Sequence, residues 1–120
     1  MQPNNRDVAS VWDMTQAIQR IQSFTNGLTF DEYLNDIRTV SAVERQFEVL
    51  GEAAPRISTE FQYAYPDIDW QRTISLRNII AHRYDEVRQE ILWTIICSEL
   101  TPLLAQLEAL LPPLPGQDRP

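Results

Sequence analysis

Val40-Ser41-Ala42-Val43-Glu44-Arg45-Gln46-Phe47-Glu48-Val49-Leu50-Gly51-Glu52-Ala53-Ala54 carries the cleanest pattern in the chain. Val40, Val43, Phe47, Leu50, Ala54 and, beyond it, Ile57 recur at alternating spacings of three and four residues. That spacing lines them along one helical face and marks the seam of a helical bundle. The helix is predicted from about Val40 to Ala54, with Pro55 ending or bending it. Gly51 lies inside it, where glycine costs roughly 1 kcal/mol relative to alanine, so another part of the chain is expected close to the backbone there. Glu44, Glu48 and Glu52 form a row at four-residue spacing. Such a row invites a metal or acid–base reading; a solvated face is the plainer one.

Toward the N-terminus, Asp7 to about Thr25 reads as a helix, with Val8, Val11, Trp12, Ile18 and Ile21 recurring at helical spacing and Asn26-Gly27 stopping it. Thr29-Phe30-Asp31-Glu32 has the form of a capping box, which opens a short helix through about Asn35. Phe30, Tyr33 and Leu34 read as packing residues. Toward the C-terminus, Ser58-Thr59-Glu60 can start a short helix through Tyr63. Tyr65-Pro66-Asp67-Ile68-Asp69-Trp70 reads as an irregular connection, with Trp70 anchored in the core and Asp69 placed to cap the next turn. Helix is predicted again from about Gln71 to Ala81, with Leu76, Ile79 and Ile80 inward, and from about Val87 to Leu111, kinked by Pro102. The stretch Pro112–Pro120 reads as a proline-rich tail. No repeat and no strand pattern emerges, so the fold class is all-α.

At 120 residues the chain supports one domain and one core. With 43 % hydrophobic and 22 % charged residues it belongs among globular proteins. No apolar run approaches the roughly 20 residues of a membrane span, and the first residues lack the apolar core of a signal peptide, so a cytoplasmic location is expected. The single Cys97 cannot make an internal disulfide, and there is no Cys/His cluster for zinc. A formal net charge of -7 argues against a general nucleic-acid binder, because affinity for a polyanion comes from basic side chains that displace counterions. All ten basic residues are arginines, however, and Arg72, Arg77, Arg83 and Arg88 fall close together in sequence. An acidic body with one basic patch suits a selective RNA substrate, or a nucleotide, better than bulk nucleic acid.

Those arginines surround Leu76-Arg77-Asn78-Ile79-Ile80-Ala81-His82-Arg83-Tyr84, which holds the only histidine of the protein. An arginine grips phosphate through a planar fork of donors, and a histidine titrates near neutrality and passes protons. The set suggests phosphodiester chemistry without a metal. On an ideal helix, at about 100° per residue, Arg77 and His82 point roughly 140° apart. Either the helix unwinds before His82, or a second copy of the chain completes the pair. The competing reading makes His82 a helix-end residue bonded to carbonyls and Arg77 the partner of an acidic neighbour.

Arginine, four residues, then His-x-Tyr resembles the signature of the HEPN superfamily, and more narrowly that of HepT-like toxins encoded beside a small nucleotidyltransferase antitoxin. Phe47-Glu48-Val49-Leu50-Gly51-Glu52-Ala53-Ala54, Tyr65-Pro66-Asp67-Ile68-Asp69-Trp70, and Trp93 with the Leu-Thr-Pro-Leu-Leu run after it fall where that family places them. The resemblance covers about Arg6 to Leu111. It implies a dimeric helical bundle of about four to six helices whose two motifs line one cleft, and residues 1–111 as the HEPN domain. It also implies a metal-independent endoribonuclease with no cofactor, the toxin of a type VII-like toxin–antitoxin pair, acting on RNA, with transfer RNA as a candidate substrate. By the same resemblance Arg77 and His82 are catalytic, Asn78 and Arg83 supporting, and Tyr84 the tyrosine to which an MntA-type nucleotidyltransferase antitoxin transfers AMP. Glu52 is the carboxylate the family singles out. Arg88 departs from the pattern, which leads one to expect an acidic helix cap there and leaves the start of the last helix open. The alternative function is a non-catalytic module that binds a nucleotide or the nucleotidyltransferase.

Overall fold

The computed structural model describes residues 5–82 and 85–112, and for Asn5, His82, Asp85, Glu86 and Val87 the backbone alone. Arg83, Tyr84 and the tail beyond residue 112 lie outside the described residues.

The first helix, α1 (Asn5–Thr25), buries Val11, Met14, Ala17, Ile18 and Ile21. Its buried stripe also contains Asp7, Ser10 and Thr15, while Trp12 is 42 % exposed. The inward face therefore runs through 7, 11, 14, 18 and 21, and Trp12 points away from it. Gly27, at φ +80°, turns the chain out of α1 in the left-handed conformation that glycine adopts without strain. The short α2 (Phe30–Leu34) starts on the expected box: Thr29 accepts from the Glu32 backbone, and the Glu32 carboxylate accepts from the Thr29 backbone.

The bundle seam belongs to α3 (Ile37–Ala53), which buries Val43, Phe47, Leu50, Gly51 and Ala53. It begins earlier than its apolar pattern does. Asp36 caps it, accepting from the Thr39 backbone and from the Thr39 hydroxyl at 2.8 Å, and these bonds hold the Asp36 carboxyl below its ordinary 3.8. Pro55 sits in a single 3-10 turn, Ala54–Arg56, that ends the helix, and Ile57 beyond it is extended yet buried. Packing against α1 thus continues one turn past the end of α3.

The short α4 (Thr59–Ala64) is capped by Ser58. The same Ser58 is held from the other side by Asp7 of α1, whose buried carboxylate accepts from the Ser58 backbone at 2.7 Å and hydroxyl at 2.8 Å. After the Tyr65–Asp69 connection, Asp69 caps α5 (Trp70–Ile74). Trp70 is buried and its indole N–H donates to the Tyr65 carbonyl.

Two expected helices are each divided. The span from Gln71 becomes α5 and α6 (Leu76–His82), parted at Ser75. The last helix becomes α7 (Asp85–Ser98) and α8 (Leu100–Glu108), which meet at 53°. Pro102 has no N–H for the carbonyl of Ser98 and its ring crowds that carbonyl, so the break falls four residues before the proline. Arg88 sits inside the first turn of α7 instead of at its cap. Leu92, Ile95, Leu100 and Leu107 join the core. Trp93 stacks on Tyr33 at 5.0 Å and Phe30 at 5.9 Å, tying α7 to α2. Among the described residues there is no strand, and the fold is all-α. No single helix among them is long and apolar enough to cross a membrane.

Candidate functional site

Leu76 is buried, and Ile79 and Ile80 pack partly against the core. With those three turned inward, Arg77, Asn78 and Ala81 are exposed. The approach predicted at Gly51 is made by α6. A Cβ placed at Gly51 would stand 2.7 Å from Cγ of Arg77 and 3.1 Å from its backbone nitrogen. The glycine lets α6 lie directly on α3, with the Arg77 stem laid across the helix backbone.

Arg77 then opens onto a cavity of about 400 Å3 between α3, α6 and α7. Glu44, Glu48 and Glu52 line one wall, and Arg77, Ile80, Ala81 and Arg88 the other. The three glutamates differ in circumstance. Glu44 is withdrawn from solvent, paired with Arg88 at 2.7 Å, each side chain 23 % exposed. Glu48 reaches only Arg45, at 3.4 Å on the surface, an arrangement of little energetic weight. Glu52 is exposed. So the solvated-face reading holds for Glu48 and Glu52, not for Glu44. Among the described residues no three His, Cys, Asp or Glu side chains converge enough to hold a metal ion.

The basic patch expected from sequence is dispersed. Arg72 forms two parallel bonds of 3.0 Å to Glu99, which holds its guanidinium above its usual value, and it lines a different cavity. Arg88 is engaged with Glu44 and with the Ile80 carbonyl. Arg83 lies outside the described residues. Arg77 makes no ion pair and no side-chain hydrogen bond among the described residues, and its acidic neighbours leave its guanidinium open. Asn78 likewise uses only its backbone, donating to Ser75, and its amide is exposed.

The helix does not unwind before His82, since α6 is helical from Leu76 through His82. On a continuous helix positions 77 and 82 are about 140° apart around the axis, and of the two routes to a working pair the local unwinding is absent. Tyr84 lies outside the described residues.

Behind the cavity is a polar chain that sequence reading missed. The Tyr33 hydroxyl donates to Gln89 Oε1, and Gln89 Nε2 donates to Glu44 Oε2 at 2.5 Å, the oxygen that also meets Arg88. Tyr33 and Gln89 are buried. Burial first, and the Glu44 charge second, push the Tyr33 phenol well above its ordinary 10.0. The available signal was Gln89 itself, a polar residue three and seven positions before the inward Leu92 and Ile96.

Another cavity, about 680 Å3, lies elsewhere, around Tyr63, Asp67, Asp69 and Trp70. It has acidic side chains and no cation, which suits it poorly to a phosphate.

The described residues form an all-α bundle in which the signature's Arg77 points outward from a seat on Gly51, and comparison with known proteins gives the chain a family. The profile of the family described as "Ribonuclease HepT-like" matches residues 14–110, and the chain belongs to that family. It is 33 % identical over 110 residues to a Methanocaldococcus jannaschii protein named "Putative RNase MJ0127", covering 92 % of this chain and 91 % of that one. A Thermococcus cleftensis protein named "Probable ribonuclease HepT" is 32 % identical over 98 residues, 82 % of this chain and 89 % of its own length. No solved structure matches the chain.

Proposed function

We propose that the protein is a metal-independent endoribonuclease that acts as a dimer, the toxin of a pair whose antitoxin is a nucleotidyltransferase. The observation that carries the reading is Arg77: an exposed guanidinium, unpaired among the described residues, on a stem fixed against Gly51. Membership of a ribonuclease-named family and relatives carrying ribonuclease names support the same substrate class. In the reaction, a ribose 2′-oxygen attacks the adjacent phosphorus while His82 takes the hydroxyl proton. The P–O5′ bond breaks, the proton taken by His82 passes to the departing 5′-oxygen, and a cyclic phosphate remains. Arg77 stabilises the negative charge that gathers on the phosphate oxygens. Asn78 orients phosphate or imidazole, and Arg83 adds affinity for the substrate.

Because α6 stays helical through His82, Arg77 of one copy and His82 of another form each working pair. A second copy also brings a second Arg77 to a cavity whose own lining is rich in carboxylates. AMP transferred to Tyr84, seven residues beyond Arg77, puts a phosphate and a bulky nucleoside where the RNA phosphate has to sit, and silences the enzyme. A cytoplasmic site of action follows from an RNA target.

The carboxylate-rich wall favours one other reading, a module that docks a nucleotidyltransferase and cuts nothing. Purified protein carrying no AMP, incubated in EDTA with labelled transfer RNA and single-stranded RNA, separates the two. The ribonuclease reading predicts cleavage that Arg77→Ala and His82→Ala each abolish. No cleavage by the parent supports the docking module, and equal cleavage by all three identifies a contaminant.

A further inference from the structure

We propose that Arg88 is a positioning residue for the signature, acting as a C-terminal cap on α6; the idea rests on the ribonuclease reading for its catalytic consequence, though not for its structural one. A helix leaves its last four carbonyls without intrahelical partners. In the seven-residue α6 that is most of the element. Arg88 Nη1 donates to one of them, the Ile80 carbonyl, at 3.0 Å. Ile80 lies three residues after Arg77 and two before His82, so the bond is made between the two positions. A guanidinium at that end also complements the negative pole of the helix dipole.

What gives the cap its geometry is the chain behind it. Arg88 Nη2 is held at 2.7 Å by Glu44 of α3, Glu44 is held at 2.5 Å by Gln89 of α7, and Gln89 accepts from Tyr33 of α2. Buried polar groups in series cost free energy unless each is satisfied, and once satisfied they admit few alternative arrangements. Three helices, α2, α3 and α7, thereby fix one carbonyl of α6. The contact at Gly51 clamps the beginning of α6 to α3, and Arg88 clamps its end. The requirement is for the fork of an arginine: one nitrogen faces the carbonyl and another the carboxylate, a division that a lysine ammonium, a single point on a flexible stem, makes poorly.

The same placement explains why a basic residue occupies position 88, where an acidic cap is the family expectation. Nη2 meets the Glu44 charge, and Nη1 serves α6. Arg88 itself touches no substrate in this scheme. It sets the angle at which α6 presents Arg77 and His82.

The test uses the full chain with Arg88→Met, which keeps length without the fork, and Arg88→Lys, which keeps charge. Misplacing a reacting group by about 1 Å costs on the order of 100-fold in rate, so kcat for RNA cleavage should fall between about 10- and 100-fold in both variants while KM moves by less than about threefold. His82 is the only histidine, so its imidazole proton resonance is unambiguous, and it should shift in both variants. This second readout is independent of activity: a parent that cleaves nothing contradicts the ribonuclease reading, while the resonance still reports on the cap. If Arg88→Met does not fold, Glu44→Gln, which keeps shape and hydrogen-bonding capacity but removes the charge holding Nη2, carries the same two measurements. An unchanged His82 resonance with kcat equal to that of the parent overturns the proposal. So does a loss of activity accounted for entirely by the fraction unfolded.

Discussion

At the scale of single residues, Gly51 and Arg77 define each other. A methyl group at 51 would press on both the Arg77 side chain and its backbone nitrogen, and the second of these yields only if α6 moves. Gly51→Ala therefore sets a helix-propensity gain of about 1 kcal/mol against an overpacking cost of about 1–3 kcal/mol. Stability should fall by no more than about 2 kcal/mol, while RNA cleavage falls by a larger proportion than the folded fraction. Urea midpoints measured beside cleavage rates check this. Sequence reading located the close approach at Gly51 from its cost in a helix, but nothing in a glycine names what approaches. Tyr33 is the converse case. Its aromatic ring read correctly as packing, and its hydroxyl, the end of the chain to Arg88, was invisible because its partner lies 56 positions away.

The Tyr33 phenol also makes stability depend on alkaline pH. Its folded value lies above the unfolded 10.0, so its contribution is complete below about pH 10 and is lost as pH rises beyond that, when the unfolded chain releases a proton that the folded one retains. Urea midpoints should therefore drop as pH rises above about 10. In Tyr33→Phe that drop should be smaller, on a baseline lowered by about 1–3 kcal/mol because Gln89 loses its donor.

At the scale of elements, the caps decide where helices begin, and they are unequally legible. The Thr29–Glu32 box could be read directly, because both partners are three residues apart and their chemistry is reciprocal. Thr29→Ala should cost about 1 kcal/mol, measurable by thermal or urea unfolding. Asp36 escaped because the seam pattern of α3 starts only at Val40, leaving the first turn without an apolar signal. Its carboxyl lies below 3.8 in the folded protein, so the capping contribution is present above that value and is lost as pH falls through the lowered one. Asp36→Asn should flatten the acid limb of a stability profile. The divisions at Ser75 and before Pro102 were harder. A kink at Pro102 could be foreseen, whereas its sharpness, 53° with α8 packed as a separate helix, depends on what α1 offers as a surface. Trp12 shows the limit of periodicity from the other side: it fits a three- and four-residue spacing and still faces outward, because the inward stripe runs through Asp7, Val11 and Met14, with Asp7 turned in to hold Ser58.

For the whole molecule, Asp7 and Ser58 join the first helix to the middle of the chain through two bonds that Asp7 alone accepts. Asp7→Ala should cost about 2 kcal/mol and leave activity per folded molecule unaltered, since α6 is not touched. The candidate site is less self-contained. Its signature residues were legible as a set from chemistry and spacing, but their surroundings were not, since Glu44 and Arg88 reach it from other helices. In the proposed function, whether Arg77 and His82 work together is a property of the assembly. The backbone stays helical through His82, and in that reading the partner of each residue comes from a second copy.

Mixing Arg77→Ala with His82→Ala, each inactive alone, tests that claim most directly. After subunit exchange, verified by tagging each variant, a mixed dimer holds one pair with both residues intact and one with neither. RNA cleavage in EDTA should return to about a quarter of the parent rate, since half of a symmetric dimer population is mixed and half the sites in it work. If mixed dimers form and cleavage stays absent, Arg77 and His82 do not act across two copies, and the site described here is not the one that cuts RNA.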